Sequence, residues 1–433
     1  MKNIIFTILV LTIAFSSQGQ QVPADAQSEK IYLLGGTAHL GNGEVIENSC
    51  IAFEKGKITM VADATRIKIN TEDGKLIDVS GKQIYPGLIA LNTTLGLTEI
   101  GAVRATRDFS ETGLFNPNVR ASIAFNTDSR VTPTIRSNGI MIAQIVPRGG
   151  RISGTSAVMS LDGWNWEDAI IKDNDGVFVN WPSKFTRSGW WANNPGLDKN
   201  KNYDKQTSEL KMFLLEAAAY ISGNPEEENL KFEAMRGLFT SDQRLFIKVN
   251  GAKETMEALE SVKGLNVNPV IVGGKESWLL ADYLKDNDIP VVLGNLQTLP
   301  GLKSDDIDQS FKIPKQLADA GVLFTLTHEG NWDQRNLPFN AGQAVSYGLD
   351  KEKAIQAVTL DAAKILGIDH LVGSIEEGKV ATIVVSSGDI LDMRTNNIEI
   401  AFIDGKMIDI ENKQTALYEK FRNKYVKQGS ITE

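Results

Sequence analysis

His328-Glu329 is the pairing in this chain best suited to proton transfer, and it directly follows the apolar run 323–326. An imidazole titrates near neutral pH and a carboxylate can take or return a proton, so the two could act as general base or acid. Adjacent residues on an extended strand point to opposite faces, so they need not share a cavity. The competing reading is a loop histidine held by hydrogen bonds. Only three histidines occur, His39, His328 and His370, and zinc sites generally take three or four protein N, S or O ligands. No metal cofactor is therefore expected, unless zinc is bound by unusual ligands such as His328, Glu329 and distant carboxylates.

A second set of chemical groups lies in residues 99–111, EIGAVRATRDFSE. Arg104, Arg107, Asp108 and Glu111 could form a substrate or anion clamp, since arginine offers a rigid fork for carboxylate or phosphate. They could equally be an ion-pair network that holds a loop. The glycine stretch 147–154, PRGGRISG, matches neither a Walker A loop nor a dinucleotide fingerprint and reads as a structural turn. Trp164, Trp166, Trp181, Trp190 and Trp191 cluster in sequence. They could line a pocket, or form an interface patch or a lid.

Short apolar runs must position these groups. They fall at 84–91, 140–146, 157–161, 177–180, 245–249, 270–272, 291–293 and 323–326. Short β-branched runs alternating with helical patterns predict parallel βα units. The helical patterns are 208–222, 252–262, 276–285, 313–320, 340–347 and 351–366, the last ending at Gly367. The expected fold is α/β, a (β/α)8 TIM-like barrel over 83–370. Residues 28–82 and 371–412 read as glycine-punctuated short strands, and they are expected to form one small β-sandwich domain. Residues 413–433 form a charged helical tail.

Three stretches resemble the amidohydrolase superfamily, in particular its imidazolonepropionase-like members. They are Gly81 to Ile89, Val358 to Gly367, and Val372 to Lys379 with Ala381 and Asp404-Gly405-Lys406. The resemblance implies a barrel with metal ligands at the C-terminal ends of its strands: His-x-His on strand one, Lys or Glu on strand four, His on strands five and six, Asp on strand eight. Here the His-x-His positions hold Asn92, Thr93 and Thr94, after Pro86-Gly87-Leu88-Ile89 and Ala90. Asn250-Gly251 follows the fifth run, Gly273-Gly274 the sixth, and Thr327-His328-Glu329 the eighth. Lys184 is the only guess for strand four. Amide and hydroxyl groups are poor substitutes for imidazole on zinc. A ligand site would then lie at the barrel mouth, among Asn92, Thr94, Arg104, Arg107, Asp108, Glu111, His328 and Glu329. The implied function is a divergent hydrolase acting on C–N bonds of a small molecule. The alternative is a catalytically inactive member of the fold that binds a ligand or serves as a partner subunit.

Bulk properties narrow the partners. Of 433 residues 42% are hydrophobic, and the net charge is −9 with no basic cluster, so nucleic acid is not an expected partner. A small-molecule ligand is expected, with a homo-oligomer or a pairing with a ligand-intact relative as assembly options. Lys2, an apolar stretch over 4–15 and small polar residues after it read as a cleavable signal peptide in residues 1–20, which predicts a secreted or periplasmic protein. Cys50 is the only cysteine, so no internal disulfide forms, and its run Cys50-Ile51-Ala52-Phe53 marks it as a buried hydrophobe.

Overall fold

A computed structural model of the chain describes residues 21–68, 72–187, 197–223, 226–300 and 305–430. The expected signal segment and the residues Trp190 and Trp191 lie outside these. The eight apolar runs all enter one eight-stranded sheet that curls into a nearly closed barrel. Its strands are β1 (Leu88–Thr93), β2 (Ile140–Ile145), β3 (Ile152–Ser160), β4 (Ile170–Asn180), β5 (Arg244–Val249), β6 (Asn268–Gly273), β7 (Val291–Leu293) and β8 (Phe324–Leu326). Neighbours pair in chain order. The seam between β8 and β1 is bridged by Thr93 Oγ1 donating to Gly330 O at 2.5 Å and by Thr327 Oγ1 donating to Leu91 O.

The expectation of uniform βα repeats is corrected at β3, which runs antiparallel to both β2 and β4. A parallel return needs a crossover of a dozen or more residues. Only residues 146–151 separate β2 from β3, so the chain can only make a hairpin. The glycine stretch supplies that turn: Gly149 and Gly150 have φ of 91° and 63°, and a Cβ on Gly150 would sit 2.8 Å from Leu114 O. From β5 to β8 the ladders are parallel, as expected.

Side chains alternate across the barrel wall. Ala143, Ile145, Val177, Val179, Leu245, Ile247 and Ile271 face the outer helices. Ile89, Leu91, Ile142, Val158, Phe178, Phe246, Val270 and Val272 face inward, where they meet Ala362, Ala363, Ile365 and Leu366. The helix Leu360–Leu366 therefore closes the barrel floor. The pattern 351–366 was expected as one helix. It breaks at Thr359 into Lys351–Ala357 and Leu360–Leu366, which turns the second piece under the barrel, and Gly367 caps it in the left-handed conformation at φ 67°.

Run 84–91 also divides, because Gly87 leaves no room for a side chain: a Cβ there would lie 2.7 Å from Met141 Cγ and from Thr382 Cγ2. Before it, Gln83–Pro86 joins a six-stranded sheet outside the barrel, antiparallel to Ile383–Ser386 from the far end of the chain. Strands from both ends thus share that sheet and a core that includes Leu33, Phe53, Ile84, Ile383 and Phe402. A four-stranded sheet built from Lys30–Leu34, Ser49–Glu54, Lys57–Asp63 and Gly74–Asp78 lies beside it, with Cys50 buried and unpaired. The C-terminal helix Lys413–Lys427 starts with a capping box of Asn412 and Thr415. Among the described residues no helix is long and apolar enough to cross a membrane.

Candidate functional site at the barrel mouth

The C-terminal ends of the barrel strands bring together a polar cluster that the sequence only partly foretold. At the end of β1 a register irregularity between Ala90 and Thr93 places Asn92 in the left-handed region, φ 53°, which asparagine tolerates better than most residues. Its backbone N–H then turns into the barrel and donates to Gln144 Oε1 at 3.1 Å. Its side-chain and backbone oxygens accept from Arg148, the latter at 2.6 Å. Arg148 comes from the β2–β3 hairpin, whose reversed strand is what delivers it. Thr94 is buried, and its N–H donates to Gly330 O at 3.3 Å.

Lys248 lies on the inward face of β5, two residues beyond Phe246. Its ammonium donates to Glu329 Oε2 at 2.8 Å. Glu329 sits at the rim with 46% of its side chain accessible. What burial it has would raise its pKa. The Lys248 hydrogen bond and the charges of Lys248, Arg148 and Lys275 outweigh that, and hold it below the usual carboxylate range. His328 is buried, and burial lowers its pKa; Asp333 opposes that effect and Arg335 adds to it. The strand alternation thus separates the pair: Glu329 meets the cations of the mouth, and His328 feels Asp333 and Arg335 of the following turn.

Deeper in the barrel, Asp175 is fully buried. It accepts from Ser156 Oγ at 2.6 Å and from Gln144 Nε2 at 2.8 Å. Desolvation pushes it up to about 6, against the lowering effect of those two hydrogen bonds and of Lys172. A continuous chain therefore runs from Asp175 through Gln144 and Asn92 to Arg148.

The loop-one backbone packs at the mouth, where Phe109 O accepts from Arg148 N at 2.6 Å and Thr98 O from Asn331 Nδ2 at 2.7 Å. Residues 97–108 form a hairpin in which Thr98 bridges Arg107, with a 3-10 turn at Arg104–Thr106. Arg104, Arg107, Asp108 and Glu111 are all exposed. Among the described residues Arg104, Arg107 and Asp108 make no ion pair, and Glu111 accepts from Thr112 N at 2.7 Å. Among the described residues none of these four hydrogen-bonds or pairs with Asn92, Arg148 or Glu329, and no ion-pair network is formed there. His39 stacks on Tyr85 at 4.6 Å outside the barrel, and Lys184 pairs with Glu257. Trp181 is buried with Nε1 donating to Tyr203 Oη at 3.2 Å, while Trp164 is exposed, so these two do not share one surface.

Among the described residues no three His, Cys, Asp or Glu side chains converge on a metal position. The donors at the mouth do not suit a divalent cation. Asn92 already accepts from a guanidinium, and Glu329 from an ammonium with two further cations close by.

Sequence reasoning missed Gln144, Asp175 and Lys248, and it read Arg148 only as part of a turn. The available signal was parity. Lys248 shares the inward phase of Phe246 in the run RLFIKV, and Gln144 shares that of Ile142 in IMIAQI.

Residues 247–408 match the family described as the Amidohydrolase family. Imidazolonepropionase of Thermoplasma volcanium is 21% identical over 413 residues, 89% of this chain and 97% of that protein. An adenine deaminase of Desulforamulus reducens is 33% identical over 97 residues, and the chain spans only 16% of that protein. Among solved structures, an amidohydrolase of Thermotoga maritima superposes with a TM-score of 0.74 at 22% identity, covering 88% of this chain and 99% of that one. A Xaa-Pro dipeptidase with bound methionine in its active site gives 0.55 at 15% identity, covering 88% and 100%. The family match begins inside β5, so it leaves out β1 to β4, where Asn92, Arg148 and the reversed strand lie. Over residues 247–408 the chain is similar to the Amidohydrolase family, its barrel shares the fold of amidohydrolase structures, and Asn92 and Thr94 stand where that resemblance implies a histidine pair on strand one.

Proposed function

We propose that the protein is a hydrolase acting on a C–N bond of a small amide-like molecule at the barrel mouth, with side-chain cations supplying the positive charge there. The observation that carries this reading is the pairing of Lys248 with solvent-accessible Glu329, beside Arg148. Relatives named as imidazolonepropionase, adenine deaminase and Xaa-Pro dipeptidase support the bond class. In this scheme Glu329 takes a proton from water as the water oxygen adds to the carbonyl carbon. Lys248 and Arg148 stabilise the oxyanion that forms, which is the role of preorganised donors in acyl transfer. Collapse breaks the C–N bond, and the leaving nitrogen takes the proton back from Glu329. His328, buried with a lowered pKa, has no step in this scheme.

The test is amine or ammonia release from a panel of lactams, cyclic ureas, N-acyl amino acids and dipeptides, assayed with a strong chelator present. Turnover should persist, and Glu329→Gln should lower it by about 10²–10⁴-fold, the usual loss for a general base. A second reading is ligand binding without turnover, favoured by the commitment of the Glu329 carboxylate to Lys248. Saturable binding with no release from any panel member would select it. Export remains part of the proposal, resting on the N-terminal apolar stretch. N-terminal sequencing of protein recovered from outside the cytoplasm would show a start near residue 21, whereas an intact Met1 would remove that part.

A further inference from the structure

A roomy cavity lies away from the mouth. It lies at the opposite end of the barrel, encloses about 920 Å³, and is lined where β4, β5 and β6 begin, by the short helices Leu230–Glu233 and Arg236–Phe239, and by Gly367 at the end of the floor helix. That volume lies within the range of small-molecule sites, about 300–1,000 Å³. The stacked rings of Phe178 and Phe246, 4.6 Å apart, and the floor helix stand between it and the mouth.

Its charges are unevenly committed. Asp173 accepts from Arg120, Glu233 is held by Arg236 at 2.7 Å, and Asp242 is exposed and accepts from Thr240 Oγ1 at 2.7 Å. Lys172 donates to Leu366 O at 2.9 Å, a neutral acceptor. Arg244, the first residue of β5, is half-buried, and among the described residues its guanidinium makes no hydrogen bond or ion pair; Asp369 only attracts it at longer range. A guanidinium drawn partly out of water with its donors unused is costly, and its fork fits carboxylate or phosphate oxygens. Gln243 lines the cavity beside it, with its Oε1 packed against Gly237 and shut off from the cavity. The Arg244 guanidinium is therefore an uncommitted cation facing a cavity of ligand size.

We propose that this cavity is a second binding site, for a small organic anion whose carboxylate or phosphate is held by Arg244, with the neighbouring Gln243 packed beside it. Nothing in the hydrolytic scheme uses it. Arg244 and Lys248 occupy the two ends of one strand, so the two sites can be separated by single substitutions.

Calorimetric titration of the full chain with N-acetyl-L-aspartate and, separately, with inorganic phosphate tests this. Saturable one-to-one binding of either supports the site. N-acetyl-L-aspartate alone assigns a carboxylate ligand, phosphate alone a phosphorylated one, and both together the oxyanion as the recognised group. Arg244→Met should weaken binding by about tenfold or more, as expected for loss of a charge-assisted pair, and Lys248→Met should leave it unchanged. If Arg244→Met fails to fold, Arg244→Lys takes its place. Absence of binding by both probes overturns the proposal. So does binding that survives the Arg244 substitution, or binding that Lys248→Met alone abolishes, which would put the anion at the mouth.

Discussion

The first four barrel strands and the last four solve the same packing problem differently. From β5 to β8 the ladders are parallel, and Phe246, Val270, Val272 and Val292 fill the interior with apolar atoms. From β1 to β4 one strand is reversed, β1 has a register irregularity, and Gln144, Ser156 and Asp175 put a hydrogen-bonded polar chain inside. The family match covers the first of these textures and not the second. The difference shows that a barrel keeps its outline as long as inward volume is filled, while the polarity of the filling is free to change. Changing it carries an electrostatic cost, because a buried carboxylate without a cation is disfavoured in its charged form.

That contrast can be broken most severely on the apolar side. Phe246 is fully buried and stacked on Phe178. Phe246→Ala should lower unfolding free energy by about 3–5 kcal/mol, read from urea denaturation. A loss below about 1 kcal/mol would mean the inward packing of the second half is not as tight as the contacts imply.

On the polar side the expected sign is opposite. Asp175 has a folded pKa of about 6 against an ordinary 3.8, so the folded state prefers the protonated acid. Stability from this group is complete below the unfolded value and is lost as pH rises through about 6. The cost at neutral pH is about 3 kcal/mol, from a shift of about two units at about 1.4 kcal/mol each. Asp175→Asn should therefore stabilise the protein at pH 7 by up to that amount and by little near pH 4. An advantage that stays constant between those two pH values would sink the assignment.

The junction between the β-domain and β1 should respond less. Gly87→Ala pushes a methyl against Met141 and Thr382, and overpacking of this kind costs about 1–3 kcal/mol. A neutral result in thermal denaturation would show that this junction relaxes. Smallest of all is the rim. Lys248→Met breaks a pair whose side chains are 33% and 46% accessible, and exposed pairs contribute at most about 1 kcal/mol. The melting temperature should barely move, while any turnover or ligand binding at the mouth should fall sharply. A large thermal shift would recast the pair as a structural tie.

The sequence alone determined the barrel, because eight apolar runs of strand length, spaced by helical patterns, have few other ways to bury themselves. It also determined what strand one could not do, since Asn92, Thr93 and Thr94 carry no imidazole whatever their geometry. The exposed hairpin that carries Arg104 and Arg107 was not legible, because charged loop residues read alike whether they clamp a ligand or face solvent. Only the tertiary structure decided that Arg148 reaches Asn92, that Lys248 rather than His328 partners Glu329, and that Asp175 lies inside the barrel. Each depends on strand direction, strand parity or a local irregularity in register. A shift of one residue exchanges the inward and outward faces of a strand, so which polar side chains meet is settled only when the barrel closes.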